Sequence, residues 1–139
     1  MSLHILDTDT LTLFQDGYAT VCQRAKDHPQ EDLAITVLSV EEQLSGWYTA
    51  LRRAKQAEKL AWVYRRLADN VRFLSRLQIL GFEESAIRRY ESLAKLKLGV
   101  RKMDLRIAAV VLEAGATLVT RNARDFKVIP GLLWTDWST

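Results

Sequence analysis

The stretch Leu3-His4-Ile5-Leu6-Asp7 frames the reading of the chain: an apolar run too short for a helix, ending on a carboxylate. Such a run reads as a buried strand whose carboxyl end meets solvent. Working outward, similar runs recur at Leu33-Ala34-Ile35-Thr36-Val37-Leu38, Leu77-Gln78-Ile79-Leu80-Gly81, Ala116-Thr117-Leu118-Val119 and, after the Pro130-Gly131 turn, Leu132-Leu133-Trp134. Helical patterns lie between them. Thr10 to Lys26 places Leu11, Phe14, Tyr18 and Val21 roughly on one face. Ser39 and Glu42 have the spacing of a capping box ahead of Leu44, Trp47, Tyr48 and Leu51. Leu60, Val63, Leu67, Val71 and Leu74 repeat at helical spacing, and Glu83 to Lys97 is helical again. Met103 to Ala114 is apolar on nearly every side, a helix suited to burial, and Gly115 is placed to end it. Strands alternating with helices predict an α/β fold around a mostly parallel sheet of four to five strands, as one domain over residues 1–139.

Composition narrows the function classes. At 139 residues, with 48% apolar and 27% charged side chains, the chain is long enough for a core without covalent staples. Cys22 is the only cysteine, which excludes an intrachain disulfide and a thiolate-rich metal site. The N-terminal run lacks the charged leader and longer apolar stretch of a signal peptide, and no apolar run reaches the roughly 20 residues that span a bilayer. A cytoplasmic protein with no membrane partner is expected. The net charge of +3 is unevenly spread. Residues 1–50 carry two basic and eight acidic side chains, whereas residues 51–106 carry fifteen and six. That segregation suits the steering of a polyanion, although solvated helix faces produce the same pattern.

In an open α/β sheet, ligands bind outside the carboxyl ends of the strands. Asp7 ends the first strand, and Glu42 lies one turn into the helix after the second. Asp104 opens the buried helix, and Asn122 and Asp125 follow the fourth strand. Acids far apart in sequence thus map toward one sheet edge. Oxygen-rich clusters select hard cations such as Mg²⁺ and Mn²⁺, and metal-assisted phosphodiester hydrolysis is their common use. Each acid also has a plainer explanation. Glu42 completes a capping box, Asp104 complements a helix dipole, and Asp125 sits in a turn. Asp7 resists one, because a carboxylate ending an apolar strand rarely serves structure alone.

Four blocks carry a resemblance. Leu6-Asp7-Thr8-Asp9-Thr10-Leu11, Thr36-Val37-Leu38-Ser39-Val40-Glu41-Glu42 and Met103-Asp104-Leu105-Arg106-Ile107-Ala108-Ala109 resemble the first three blocks of PIN-domain ribonucleases. Leu118 to Phe126 with Pro130-Gly131-Leu132 resembles the last. The likeness runs along essentially the whole chain and is nearest to the VapC-like toxins of toxin–antitoxin pairs. It implies a PIN-like three-layer sandwich and endonucleolytic cleavage of RNA with Mg²⁺ or Mn²⁺. Asp7, Glu42, Asp104 and Asp125 are implied as metal ligands. Glu41 competes with Glu42, and Asn122 is implied as an amide helper to the metal-bound water. Asp9 departs from the Asn common in this branch and adds a charge. Thr8 and Thr120 are placed to hydrogen-bond the carboxylates from behind. Arg101, Lys102 and Arg121 are candidates for the RNA path. A homodimer and a cognate antitoxin packing into a groove are further implications, with Trp47 and Tyr48 as candidate groove residues.

Two alternatives come from other classes. Asp7-Thr8-Asp9 matches the opening of haloacid-dehalogenase-type phosphatases, in which Asp7 would be a nucleophile. That family's Thr or Val four residues after the first Asp is replaced here by Leu11. The other alternative is a PIN-like RNA-binding module without catalysis.

Overall fold

A computed structural model describes residues 2–139. The strands are β1 (His4–Leu6), β2 (Leu33–Thr36), β3 (Ile79–Leu80), β4 (Thr117–Val119) and β5 (Leu133–Thr135). The helices are α1 (Thr8–Gln15), α2 (Ala19–Lys26), α3 (Val37–Arg53), α4 (Ala57–Leu74), α5 (Glu84–Ala94), α6 (Lys102–Ala114) and α7 (Ala123–Phe126). The five strands form one parallel sheet in the order β3-β2-β1-β4-β5. Ile5 is in register with Ala34 on one side and Leu118 on the other.

Adjacent strand residues point to opposite faces, so the central strands β2, β1 and β4 each feed two cores, while β3 and β5 lie more exposed at the edges. Ile5, Ala34 and Leu118 join Ala86, Leu93, Ile107 and Val111 beneath α5 and α6. Leu6, Ile35 and Val119 join Leu11, Val21, Leu74 and Trp137 on the face covered by α1, α2 and α4. The result is helix, sheet, helix in three layers. Continuous apolar runs in the sequence reflect this burial on both faces.

Three local features differ from the sequence reading, each for an identifiable reason. The single helix expected over Thr10 to Lys26 is two, because Gly17 adopts φ +80°. The Gly17 and Tyr18 amides donate back to Phe14 and Leu13 oxygens at 3.2 and 2.9 Å, which ends α1 and turns the chain. The strand expected to run to Leu38 stops at Thr36, whose hydroxyl accepts from the Ser39 amide at 3.2 Å and caps α3. Ser39 is therefore inside the helix, and Glu42 has no capping role. Along α4, Val63 and Leu74 are buried, but Leu60 and Val71 are exposed, so the expected apolar face is only half covered. Gly115 ends α6 at φ +62°, as its position suggested.

Candidate functional site

The strand order reverses direction at β1, so the carboxyl ends of β1 and β4 part and leave a crevice between them. A cavity of about 410 Å³ opens there, and its walls include Asp7, Asp104, Asp9, Asn122 and Arg101 over a floor of Phe126. The two acids deepest in it, Asp7 and Asp104, are 6% and 7% exposed.

Asp7 is fixed at both ends. Its amide donates to the Val119 oxygen at 3.0 Å, extending the sheet ladder past β1. Its Oδ1 accepts from the Thr10 amide at 2.8 Å and caps α1. This carboxylate does serve structure, contrary to the expectation from sequence. Burial pushes the Asp7 carboxyl above its ordinary value. Hydrogen bonds from Thr120 and Thr10 offset that, and the neighbouring Asp9 charge adds to it.

Asp104 sits in the first turn of α6 and is gripped by Arg101. Arg101 Nε and Nη2 donate to its two oxygens at 3.1 and 2.9 Å, and Nη2 reaches Glu42 Oε2 at 3.5 Å. Glu42, on the second turn of α3, accepts a 2.6 Å hydrogen bond at its other oxygen from Thr8 Oγ1. Thr8 in turn lies 2.9 Å from the buried Ser39 hydroxyl. Glu42 thus stands at the cavity's shoulder, joined to Asp104 by one guanidinium. Glu41 is exposed and lies against Val37, Leu44 and Tyr48 instead.

The fourth acid stands farther back. Asp125 accepts from Asn122 Nδ2 at 2.8 Å, and it is Asn122, not Asp125, that reaches the cavity wall. Thr120 is fully buried and accepts from the Asn122 amide at 2.9 Å, holding the turn after β4. Across the mouth, Asp9 pairs with Arg121. Lys102 is exposed beside Arg101. Sequence reasoning missed the part played by Ser39, which it read as a helix cap, and the closing of Phe126 beneath the acids. The Thr36-x-x-Ser39 spacing was the available signal for the former.

As the side chains stand, no three acidic, histidine or cysteine groups among the described residues converge tightly enough to enclose one ion. The donors facing the cavity are nevertheless all oxygens apart from the arginines and the Asn122 amide nitrogen. A positive group, Arg101, already bridges two of the acids. An oxygen set with one or two carboxylates and open positions is what Mg²⁺ accepts, because it keeps several waters. The residues fit such a cation.

No family model matches the chain. It is 38% identical over 69 residues to ribonuclease VapC2 of Rickettsia felis, a match spanning 47% of this chain and 52%, about half, of that relative. Among solved structures, it is similar over 99% of both chains to DNA-bound VapBC from Salmonella typhimurium, at TM-score 0.78 and 26% identity. It is similar to VapBC2 from Rickettsia felis bound to a promoter DNA fragment, at TM-score 0.69 and 25% identity over 97% of this chain and 98% of that one. VapBC-1 from nontypeable Haemophilus influenzae shares the fold at TM-score 0.76 and 21% identity, over 99% of each chain. None of these three structures or the curated relative bears on the phosphatase alternative, whose second Asp is here engaged by Arg121. An α/β sandwich that aligns end to end with VapBC chains, and a stretch of sequence shared with a VapC, make this chain similar to VapC proteins in fold and in about half of its sequence.

Proposed function

We propose that the chain is a metal-dependent endoribonuclease that hydrolyses RNA phosphodiester bonds and serves as the toxin of a toxin–antitoxin pair. The observation that carries this reading is the meeting of buried Asp7 and Asp104 in one switch-point cavity, with Arg101 as a cation between Asp104 and Glu42. Asp7, Asp104 and Glu42 would hold Mg²⁺ or Mn²⁺, with Asp125 acting through the amide of Asn122. The bound ion would polarise the scissile phosphate and acidify a water.

The chain's own groups do the rest. Thr8 fixes the orientation of Glu42, and Thr120 shapes the turn that presents Asn122. Arg121 at the cavity wall and exposed Lys102 would meet the phosphate backbone, which positions RNA without reading its sequence, whereas Arg101 is held by Asp104 and Glu42. For the antitoxin, an apolar cavity of about 510 Å³ lined by Phe14, Cys22, Phe73 and Leu77 offers a seat for an apolar segment. A homodimer would cover further exposed side chains such as Tyr48 and Val37. No helix among the described residues is long and apolar enough to cross a membrane.

The test is cleavage of structured RNA with Mg²⁺ or Mn²⁺. Activity should vanish in EDTA and in a folded Asp104→Asn variant. Cleavage that persists in EDTA would overturn the metal assignment.

A further inference from the structure

A second cavity, about 370 Å³, shares Thr8 with the acidic one and lies between α1, α3 and α4. Its chemistry differs. One wall is formed by Trp47 and Arg66, whose guanidinium stands 5.7 Å from the Trp47 ring; Trp62, outside the cavity, packs against both, 6.3 Å from the Trp47 ring and 5.8 Å from the guanidinium. Gly46 beside Trp47 leaves open space where a Cβ would have met nothing within 4 Å.

The other wall carries amides in a directed chain beside the carboxylates of Glu42 and Asp16, the latter 4.0 Å from Arg66 Nη2. The Thr12 hydroxyl donates to the Thr8 carbonyl and so accepts from Gln43 Nε2 at 3.2 Å. Gln43 Oε1 therefore faces Asn70, whose Nδ2 donates to it at 2.8 Å and to Gln15 Oε1 at 3.0 Å. Both amide hydrogens of Asn70 are engaged, and its Oδ1 has no partner although the residue is 1% exposed. A buried acceptor left unpaired costs free energy unless something else satisfies it. The Arg66 Nε on the opposite wall is likewise buried and unpaired.

We propose that this cavity is a nucleobase subsite, taking a base next to the phosphate held over Asp7 and Asp104. The proposal rests on the ribonuclease reading above. Single-stranded RNA is recognised by splayed bases that stack on aromatic rings or guanidinium planes and present their edges to polar side chains. Trp47 and Arg66 supply the stacking surface and Gln15 a donor for the base edge, while buried Asn70 orients Gln15 through its 3.0 Å hydrogen bond to Gln15 Oε1. The shared Thr8 wall puts base and scissile phosphate in neighbouring compartments. This subsite gives the enzyme a sequence preference that phosphate contacts at the mouth do not provide.

The experiment uses AMP, GMP, CMP, UMP and ribose 5-phosphate as probes of the intact protein, followed by NMR. The Trp47 indole N–H, assigned with Trp47→Phe, and the Asn70 side-chain amide should shift saturably with at least one nucleotide and stay still with ribose 5-phosphate. Trp47→Ala should weaken that binding about 5- to 150-fold, the range for loss of one base–aromatic stack. Gln15→Leu, at a half-buried position away from the ring, should change which nucleotide binds best. With randomised RNA, Trp47→Ala should alter base preference at one position beside the cut. The proposal is overturned if ribose 5-phosphate moves the same signals, if no nucleotide does, or if Trp47→Ala binds as wild type. The nucleotide measurements need no cleavage, so failure of the nuclease reading shows separately, as intact RNA with both metals.

Discussion

Replacing Thr8 with Val removes the hydroxyl that holds Glu42 at the site and that also meets the buried Ser39 hydroxyl at 2.9 Å. The two side chains have the same shape, so the substitution removes a hydroxyl and leaves packing and helix propensity nearly unchanged. Thr8 Oγ1 donates to Glu42 Oε1 at 2.6 Å, a charge-assisted bond to a side chain that is 19% exposed. Hydrogen bonds to charged groups contribute roughly 1.5–3 kcal/mol. Glu42 keeps its Arg101 contact and some water, but the buried Ser39 hydroxyl loses a partner as well, which puts the expected loss inside that range, about 2 kcal/mol. A melting entropy of about 2.1 cal/mol/K per residue, over 139 residues, converts that to a fall in Tm of about 7 °C. Thr8→Ser keeps the hydroxyl and should melt within about 2 °C of wild type. The assay is a thermal melt by circular dichroism at neutral pH with metal chelated. A second melt with Mn²⁺ should show a smaller metal-induced rise for Thr8→Val than for wild type, since the ion stabilises only the state that binds it. If Thr8→Val melts with wild type and gains the same rise, the hydroxyl does not orient Glu42 and the account of the site is wrong.

Two further outcomes follow from the charges. The folded Asp7 carboxyl is raised from its ordinary 3.8, so between the unfolded and folded values the folded state binds more protons. Its contribution to stability is complete below the unfolded value and is lost as pH rises through the folded one. Asp7→Asn keeps a helix-capping side chain but cannot titrate, so it should gain on wild type as pH rises from acid to neutral in chelator and low salt. A gap between the two melting curves that does not widen with pH would refute the burial argument. Lys102→Gln with Arg121→Gln should weaken RNA binding in a cleavage-dead background and flatten the slope of log K against log salt by about 0.7 for each phosphate of a single strand that is no longer neutralised. An unchanged slope would place both residues off the RNA path.

Much of the fold is legible in the sequence because parallel strands buried on both faces are written as unbroken apolar runs. Ile5 and Leu6 serve opposite cores, and both had to be apolar. Asp7 and Asp104 stand out for a related reason: each is a charge set against an apolar segment. What stayed hidden depends on side chains meeting across long sequence separations. Arg101 reads as a phosphate-binding surface cation, yet it turns back onto Asp104 and Glu42, a choice of rotamer that no spacing rule encodes. Asp125 and Asn122 are three residues apart, and only the short helix α7 decides which of them faces the cavity. The amide chain through Gln15, Gln43 and Asn70 joins three helices, and each residue alone resembles an ordinary polar surface position. The split at Gly17 is a different case, because a glycine between Asp16 and Tyr18 is a turn signal in its own right, masked only by the apolar period that runs through it.

The amide of Asp7, bonded to Val119, belongs to the central pair of strands and should be among the slowest in the molecule to exchange with deuterium. Glu42 belongs instead to the α3–α4 hairpin, whose outer helix buries only Val63, Asn70 and Leu74. Such a hairpin opens at lower free energy than the sheet. An opening that spread from α4 to the second turn of α3 would part Glu42 from Asp104 and from the Arg101 that joins them, so deuterium exchange at the Glu42 amide, set against that at Asp7, would measure how often the proposed metal site comes apart.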